Sequence, residues 1–496
     1  MTITLTKRHF AVAALLALAV LVGGVLARQA LTGFVLNALL SASGAAEIRF
    51  TITAASPWQV VVEDIGFSVR TQAFAAKRVT LTRAHWWSPS LGALRVEQAR
   101  VPLTIDGSDT NPWSWSAYQN STTPTAPPRV PLDDISVDGQ LIIKAAAVPD
   151  QTLAVKIEAR MTTENTWTGR ASADGPGLGV KAEGTFDPAT QALDFNLPQI
   201  ALDLKVWQGF VQRLVLLPGG AWDLAGRATA SAAGRWKGKE FTATAKVSLR
   251  EGYAANQERA VSAEGIEADL EFTDLDLFKS NPGTLRIREL RTGPMVLRAL
   301  DAEFAFGSTE QIIITRATLK TLGGSVALEP FKYFTNLREL DAVVLVEGIS
   351  IEEVMALTKD LPAKATGRVN GRFPVRINEA GFRLGSGWLA LQPGIPAEVQ
   401  LNAGGLLTGG MSTSSPSYAV LKKVESGLLK LGLTELRLEI RPPNAPAGRS
   451  ATLHISGAPT DPGVKAPVTL DLNVNGPLEK LLNMGLDSRL NFGTGK

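Results

Sequence analysis

Leu322-Gly-Gly-Ser-Val-Ala-Leu-Glu-Pro-Phe331, and after it Val346-Glu-Gly-Ile-Ser-Ile-Glu-Glu-Val-Met-Ala-Leu-Thr-Lys-Asp-Leu-Pro-Ala-Lys-Ala-Thr-Gly-Arg-Val-Asn-Gly-Arg-Phe-Pro-Val375, reads as strand, strand, short helix and strand again. Ser350 and Glu353 have the spacing of a capping box, in which hydroxyl and carboxylate satisfy backbone donors left open at a helix start, so the helix begins at Ile351. Leu361-Pro362 ends it, because proline disfavours helical geometry in the residue before it, and Gly367 and Gly371 punctuate the extended run that follows. The pattern is a helix set between strands of a sheet.

Outward from this stretch, and from Ile48 onward, apolar side chains recur at every second position, the spacing that puts alternate residues on opposite faces of a strand. Leu153, Val155, Ile157 and Met161 alternate with Lys156, Glu158 and Arg160. Phe241, Val247 and Leu249 alternate with Thr242, Lys246 and Arg250, and Leu270 and Phe272 with Asp269 and Glu271. Near the end, Leu436, Leu438 and Ile440 oppose Glu435, Arg437 and Glu439, while Leu470, Leu472 and Val474 oppose Asp471, Asn473 and Asn475. About twenty-five such strands are expected, joined by short Gly, Pro, Asn and Asp turns, as in antiparallel sheets with one wet face. Residues 120–129 and 409–417 read as loops. One internal echo stands out: Gly226 and Gly367, like Phe241 and Phe382, are 141 positions apart, and a helical pattern precedes each glycine. It suggests two helix-plus-sheet modules in series.

Composition bounds the function. The 496 residues carry 50 basic and 47 acidic side chains, so nucleic-acid binding has no compositional support. Cysteine is absent, which removes disulfides and thiolate sites. Of three histidines, His9 falls in a targeting segment, His85 precedes Trp86-Trp87 and His454 falls on the polar side of its strand. Asp133-Asp134 and Glu352-Glu353 are adjacent carboxylates whose side chains diverge, whereas a general acid and base need convergent geometry. No catalytic residue, metal site or cofactor is expected.

Lys7-Arg8-His9 precedes Phe10 to Ala27, a run without charge that as a helix spans ~27 Å, close to the ~30 Å hydrocarbon core of a bilayer. Two readings fit: a single-pass anchor with the N-terminus in the cytoplasm, or a secretory signal cleaved near Val25-Leu26-Ala27. Length favours the anchor.

The opening stretch, with Gly381 to Leu391, Glu435 to Ile440 and Ala466 to Leu482, resembles the C-terminal region of the YdbH family, within the AsmA-like envelope proteins of Gram-negative bacteria, some of whose domains are also labelled "dicarboxylate transport". The resemblance covers roughly the last 180 residues and rests on glycines and apolar spacing. It implies an inner-membrane-anchored periplasmic protein whose elongated, curved, taco-like antiparallel β-groove conducts phospholipid and contributes to outer-membrane lipid homeostasis. A small outer-membrane lipoprotein pairing with the C-terminal edge strand is an implied partner. Four segments are expected: an anchor at 1–28, a β region at 29–129, a middle β-groove module at 130–320 and a YdbH-like module at 321–496.

The apolar face can be buried in two ways: sheets packed as a sandwich, or a gutter whose lining takes acyl chains at ~0.8 kcal/mol per methylene. On the second reading Val155, Ile157, Phe241, Val247, Leu249, Leu270, Phe272, Leu436, Leu438, Ile440, Leu470, Leu472 and Val474 are the lipid-contact candidates. The alternative function is a non-catalytic envelope scaffold or assembly factor for outer-membrane components, using the same sheet. Small-anion transport fits an apolar lining poorly. A short helix with Leu421, Val424 and Leu428 beside Lys422 and Lys423, and another opened by Pro477, are read as caps on the sheet or as bilayer contacts.

Overall fold

The computed structural model describes residues 29–475 apart from 31, 35, 39, 42–44, 70–71, 84–91, 106–131, 146–147, 163–165, 215–220, 239, 294, 338, 357–362, 379–380, 402–407, 409–410, 442–448 and 461–466. The expected anchor at 1–28, the loop at 120–129, the helix stop at Leu361-Pro362 and the helix opened by Pro477 lie outside the described residues. Among the described residues no helix is long and apolar enough to cross a membrane. The expected run of about twenty-five strands is matched by 27 among the described residues. The chain divides into two compact units, Met1–Leu216 with Thr229–Ala243 and Leu217–Ala228 with Thr244–Lys496.

The first unit runs through β1 (Ala45–Ala55), β2 (Gln59–Val69), β3 (Gln72–Thr82), β4 (Gly92–Ile105), β5 (Leu132–Ala145), β6 (Val148–Met161), β7 (Trp167–Gly175), β8 (Leu178–Asp187), β9 (Ala192–Asp203) and α1 (Leu204–Leu214), followed by β10 (Asp223–Lys237). Each strand of β1 to β9 pairs with the next. The expected antiparallel pairing holds at all of these ladders but one. β4 and β5 run parallel, with Leu94 opposite Ile135 and Val101 opposite Leu141. Parallel neighbours need a crossover of a dozen residues or more, and 106–131 join the two. Nothing in the local alternation encodes that choice. On the apolar face, Val62, Ile65, Ala76 and Ala99 form a cluster against which the helical residues Leu36 and Leu40 are packed.

α1 lies against the same sheet. Trp207 and Phe210, one turn apart, are buried with Ile143, Ala145 and Leu153. The Trp207 indole N–H donates to the Pro176 carbonyl at the β7–β8 turn, 2.9 Å away. Gly209 makes the close seating possible, since a Cβ there would stand 3.0 Å from the Val148 side chain.

The second unit is a meander: β11 (Glu240–Asn256), β12 (Val261–Asp274), β13 (Lys279–Ser280), β14 (Gly283–Thr292), β15 (Met295–Ser308), β16 (Gln311–Thr321), β17 (Gly324–Leu328), β18 (Phe331–Phe334), β19 (Leu340–Ser350), α2 (Ile351–Ala356), β20 (Ala363–Thr366), β21 (Arg368–Asn378), β22 (Gly381–Leu384), β23 (Gly387–Leu391), β24 (Glu398–Leu401), α3 (Tyr418–Leu429), β25 (Lys430–Ile440), β26 (Arg449–Pro459) and β27 (Val468–Asn475). Several are halves of one interrupted strand. β17 and β18, split at Glu329-Pro330, both pair with β16. β22, β23 and β24 lie in turn along β21 and β20. Proline has no N–H to give a ladder, which is why Pro330 marks a break.

α2 begins at Ile351, as the capping spacing predicts, and the Ser350 hydroxyl accepts the Glu353 backbone N–H at 3.3 Å. The reciprocal bond of a full capping box is not made, because the Ser350 N–H donates instead to the Leu322 carbonyl at 2.8 Å. α3 touches β24 and β25, and it buries Glu425, whose carboxylate accepts the Thr408 hydroxyl at 2.5 Å.

Candidate functional site

Strand alternation and ladder register together decide which side chains share a surface. In the second unit Leu249 stands opposite Ala268, and the register then passes through Leu285, Ala302, Ala317, Leu328 and Val344 to Phe373, an apolar row from β11 to β21. A second row starts at Leu319 in β16 and passes through Val326, Val346, Gly371, Leu389, Leu438 and Leu453 to Leu472 in β27. The two rows overlap from β16 to β21. One apolar face therefore extends across every principal strand of the unit.

The opposite face is ionic. Arg250 lies 2.6 Å from Asp269, Arg286 and Arg316 both reach Asp301, Arg372 reaches Glu329 at 2.8 Å and Arg376 reaches Asp341 at 2.6 Å. Hydrogen bonds from Arg250 and Ser248 hold the Asp269 carboxyl below the usual carboxylate range. Such exposed pairs contribute little stability individually, but they keep this face in water and fix the register.

The first unit has the same two-sidedness. Val137, Ile157, Ala171 and Ala182 stand in one row. The intervening residues, among them Asp134, Asp138, Glu158, Arg160, Arg170 and Glu183, line a hollow of about 1130 Å³ on the polar face. The sequence suggested no such hollow.

By strand register the predicted lipid-contact residues take positions in phase with these apolar rows, in different settings. Val155 is packed against the α1 cluster, whereas Ile157, two residues on, is 39% exposed. The Phe241 ring stacks on Phe195, centroids 6.0 Å apart. Val247, opposite Leu270, is 37% exposed, while Phe272 is closed over by the rings of Phe278 and Phe306. Leu438 and Ile440 pack with Val375 and Leu384. Leu436 shares a row with Ile455 and Leu470, and Ile440 shares one with Ala451 and Val474. The face also includes Phe304, Phe306, Ile312 and Ile314, which the sequence reading did not select. Their alternation was available, but Ala299, at φ +50, bulges β15 and shifts the phase just upstream.

The candidates for other chemistry are accounted for by pairing. Asp134 lies 3.3 Å from Arg160. His454 Nδ1 donates to Asp471 at 2.6 Å and its Nε2 lies 3.7 Å from Glu435, joining β25, β26 and β27. The Asp471 bond, and the charges of Asp471 and Glu435, raise the His454 pKa above its ordinary 6.5. A raised folded pKa means that this clasp stabilises fully below about pH 6.5 and is lost as pH climbs through the folded value. NMR titration should show His454 retaining its proton above 6.5, with Asp471→Asn returning it to the ordinary range; an unshifted wild-type titration would contradict the clasp. Among the described residues no three His, Asp or Glu side chains are placed to hold a metal.

Residues 199–395 match the family model described as YdbH-like, "Intermembrane phospholipid transport protein YdbH". The resemblance read from the sequence is thereby borne out, and its extent is corrected. The match begins in β9, well before the last 180 residues, and ends just past β23, short of β25 to β27. It takes in α1, α2 and most of both apolar rows. No curated protein and no solved structure matches the chain.

Proposed function

We propose that this chain, carrying a YdbH-like segment at its centre, moves phospholipid between membranes of a bacterial envelope on the apolar face of its sheets, without catalysis. The observation that carries the reading is the pair of cross-strand apolar rows, Leu249 to Phe373 and Leu319 to Leu472, which together run through every principal strand of the meander. Ladder neighbours lie ~4.8 Å apart, so an acyl chain crossing from strand to strand meets hydrocarbon at each step and gains or loses little by sliding. Head groups stay in water at the margin of the face. The uncharged run from Phe10 to Ala27 anchors the chain in the inner membrane with the sheets in the periplasm. The edge strand β27 is the place for a partner strand, such as that of an outer-membrane lipoprotein.

The test is native mass spectrometry of the purified chain, followed by lipid extraction. Phospholipid is expected to co-purify in near-stoichiometric or greater amount. A chain that emerges free of lipid, yet crosslinks from Leu270 and Leu438 to polypeptide, would favour the scaffold reading.

A further inference from the structure

We propose that α1 is a wall, and that Trp207 and Phe210 confine acyl chains to one part of the apolar face in the first unit. This rests on the lipid reading above and adds to it where the tails lie and what stops them.

Along β6 the exposure changes steeply within four residues. Leu153 is 2% exposed beneath Trp207 and Phe210, Val155 is at the helix margin, and Ile157 is 39% exposed. The neighbouring strands follow suit: Leu141 and Leu178 are packed against the same cluster, and Phe186, at the far end of β8, is 38% exposed. Across β6 to β8 the apolar face is thus shut at the end bearing the β5–β6 and β7–β8 turns and open towards the other, while on β5 Val137 is packed against the cluster of Val62, Ile65, Ala76 and Ala99. From Val155 to the last residue of β6, Met161, is six residues, or ~20 Å at ~3.3 Å per residue. One leaflet of a bilayer gives its tails ~15 Å, half the ~30 Å hydrocarbon core. The open floor therefore holds about one tail laid along the strands, its methyl end towards α1.

The contrast with α2 shows that this is a property of α1 itself. Both helices follow a strand and lie beside the turn of an earlier hairpin: Trp207 bonds to Pro176, and Glu353 stands next to Gly323. Yet α2 has no buried residue, whereas α1 drives two aromatic rings into the sheet. The second helix has the position without the plug.

The experiment uses the full-length chain in detergent, mixed with vesicles of phosphatidylcholine carrying a diazirine at the acyl terminus, irradiated and mapped residue by residue by mass spectrometry. In the wild type, adducts are expected on Ile157 and Ala171 and at least tenfold fewer on Leu141 and Leu153. Trp207→Ala with Phe210→Ala should bring adducts on Leu141 and Leu153 up to the level on Ile157, and Trp207→Phe should keep the wild-type pattern. Because the double variant removes core side chains, Gly209→Val provides a second route: its side chain meets Val148, lifts the helix and should shift the adducts the same way while leaving both rings in place. Equal labelling of Leu153 and Ile157 in the wild type would overturn the wall, and so would an unchanged ratio in a folded Gly209→Val chain. Absence of adducts from the whole wild-type apolar face would instead sink the lipid reading itself.

Discussion

Aspartate at Val247 is expected to strip the chain of most of its phospholipid. Val247 sits in β11 with Leu270 opposite it and remains 37% exposed, so the new carboxylate is hydrated and the protein folds. The difficulty arises only when an acyl chain covers the site. A carboxylate shut away from water without a partner costs several kcal/mol, and each ~1.4 kcal/mol is a tenfold change in occupancy. Bound phospholipid should fall at least tenfold, and transfer between vesicles should fall with it, since a face used as a path is blocked by its worst step. Lys246→Gln is the control one residue away: it breaks the exposed pair with Glu271 on the ionic face and should leave both readouts unchanged. If both variants behave like the wild type, acyl chains do not cross β11.

That such neighbouring positions should differ so much follows from period two, and period two is what the sequence displayed openly. β6, β11, β12, β25 and β27 coincide with the alternations read from it, and α2 starts where Ser350 and Glu353 place it. These are local signals: strand sterics and helix caps act over two to four residues, and no distant partner is needed to see them. What was hidden depends on distant partners. The parallel ladder between β4 and β5 is a choice made by a 26-residue connection, 106–131, and both strands alternate as they would in an antiparallel pair. The interrupted strands β17–β18 and β22–β24 read as separate short runs because only their shared neighbours β16 and β21 reveal them as one.

The candidate site was legible as a face but not as a surface with open and closed parts. Val155 and Ile157 are equivalent in the alternation, and both were chosen for it. They differ because Trp207 and Phe210, about fifty residues later, cover one and stop short of the other. The polar hollow of the first unit was missed for a related reason. Asp134, Glu158, Arg170 and Glu183 look like any wet face in sequence, and only the assembled ladders from β4 to β9 bring them around a common space.

Gly367→Val should produce the largest loss of stability, because two independent penalties coincide there. Gly367 separates β20 from β21 at φ +120, a backbone conformation that L side chains rarely adopt, with a cost of ~1–3 kcal/mol. A Cβ there would also stand 2.6 Å from the Cβ of buried Ala397, and overpacking of that kind costs a further ~1–3 kcal/mol. The position cannot move away cheaply, since its carbonyl accepts the Ile351 N–H that opens α2, at 3.0 Å. A total of ~4 kcal/mol corresponds to a fall of roughly 10 °C in the melting of the second unit. Gly394→Ala isolates the backbone part: φ is +80 but nothing lies within 4 Å of the added Cβ, so only ~1–2 kcal/mol is expected. Gly226, 141 positions earlier, has φ +131, and a Cβ there would meet the Gly252 Cα at 2.8 Å, which is backbone and equally unyielding. If the sequence echo reflects one module used twice, Gly226→Val should lower thermal stability by a similar amount in calorimetry. Equal, small effects at Gly226, Gly367 and Gly394 would mean that the glycines are tolerated rather than required.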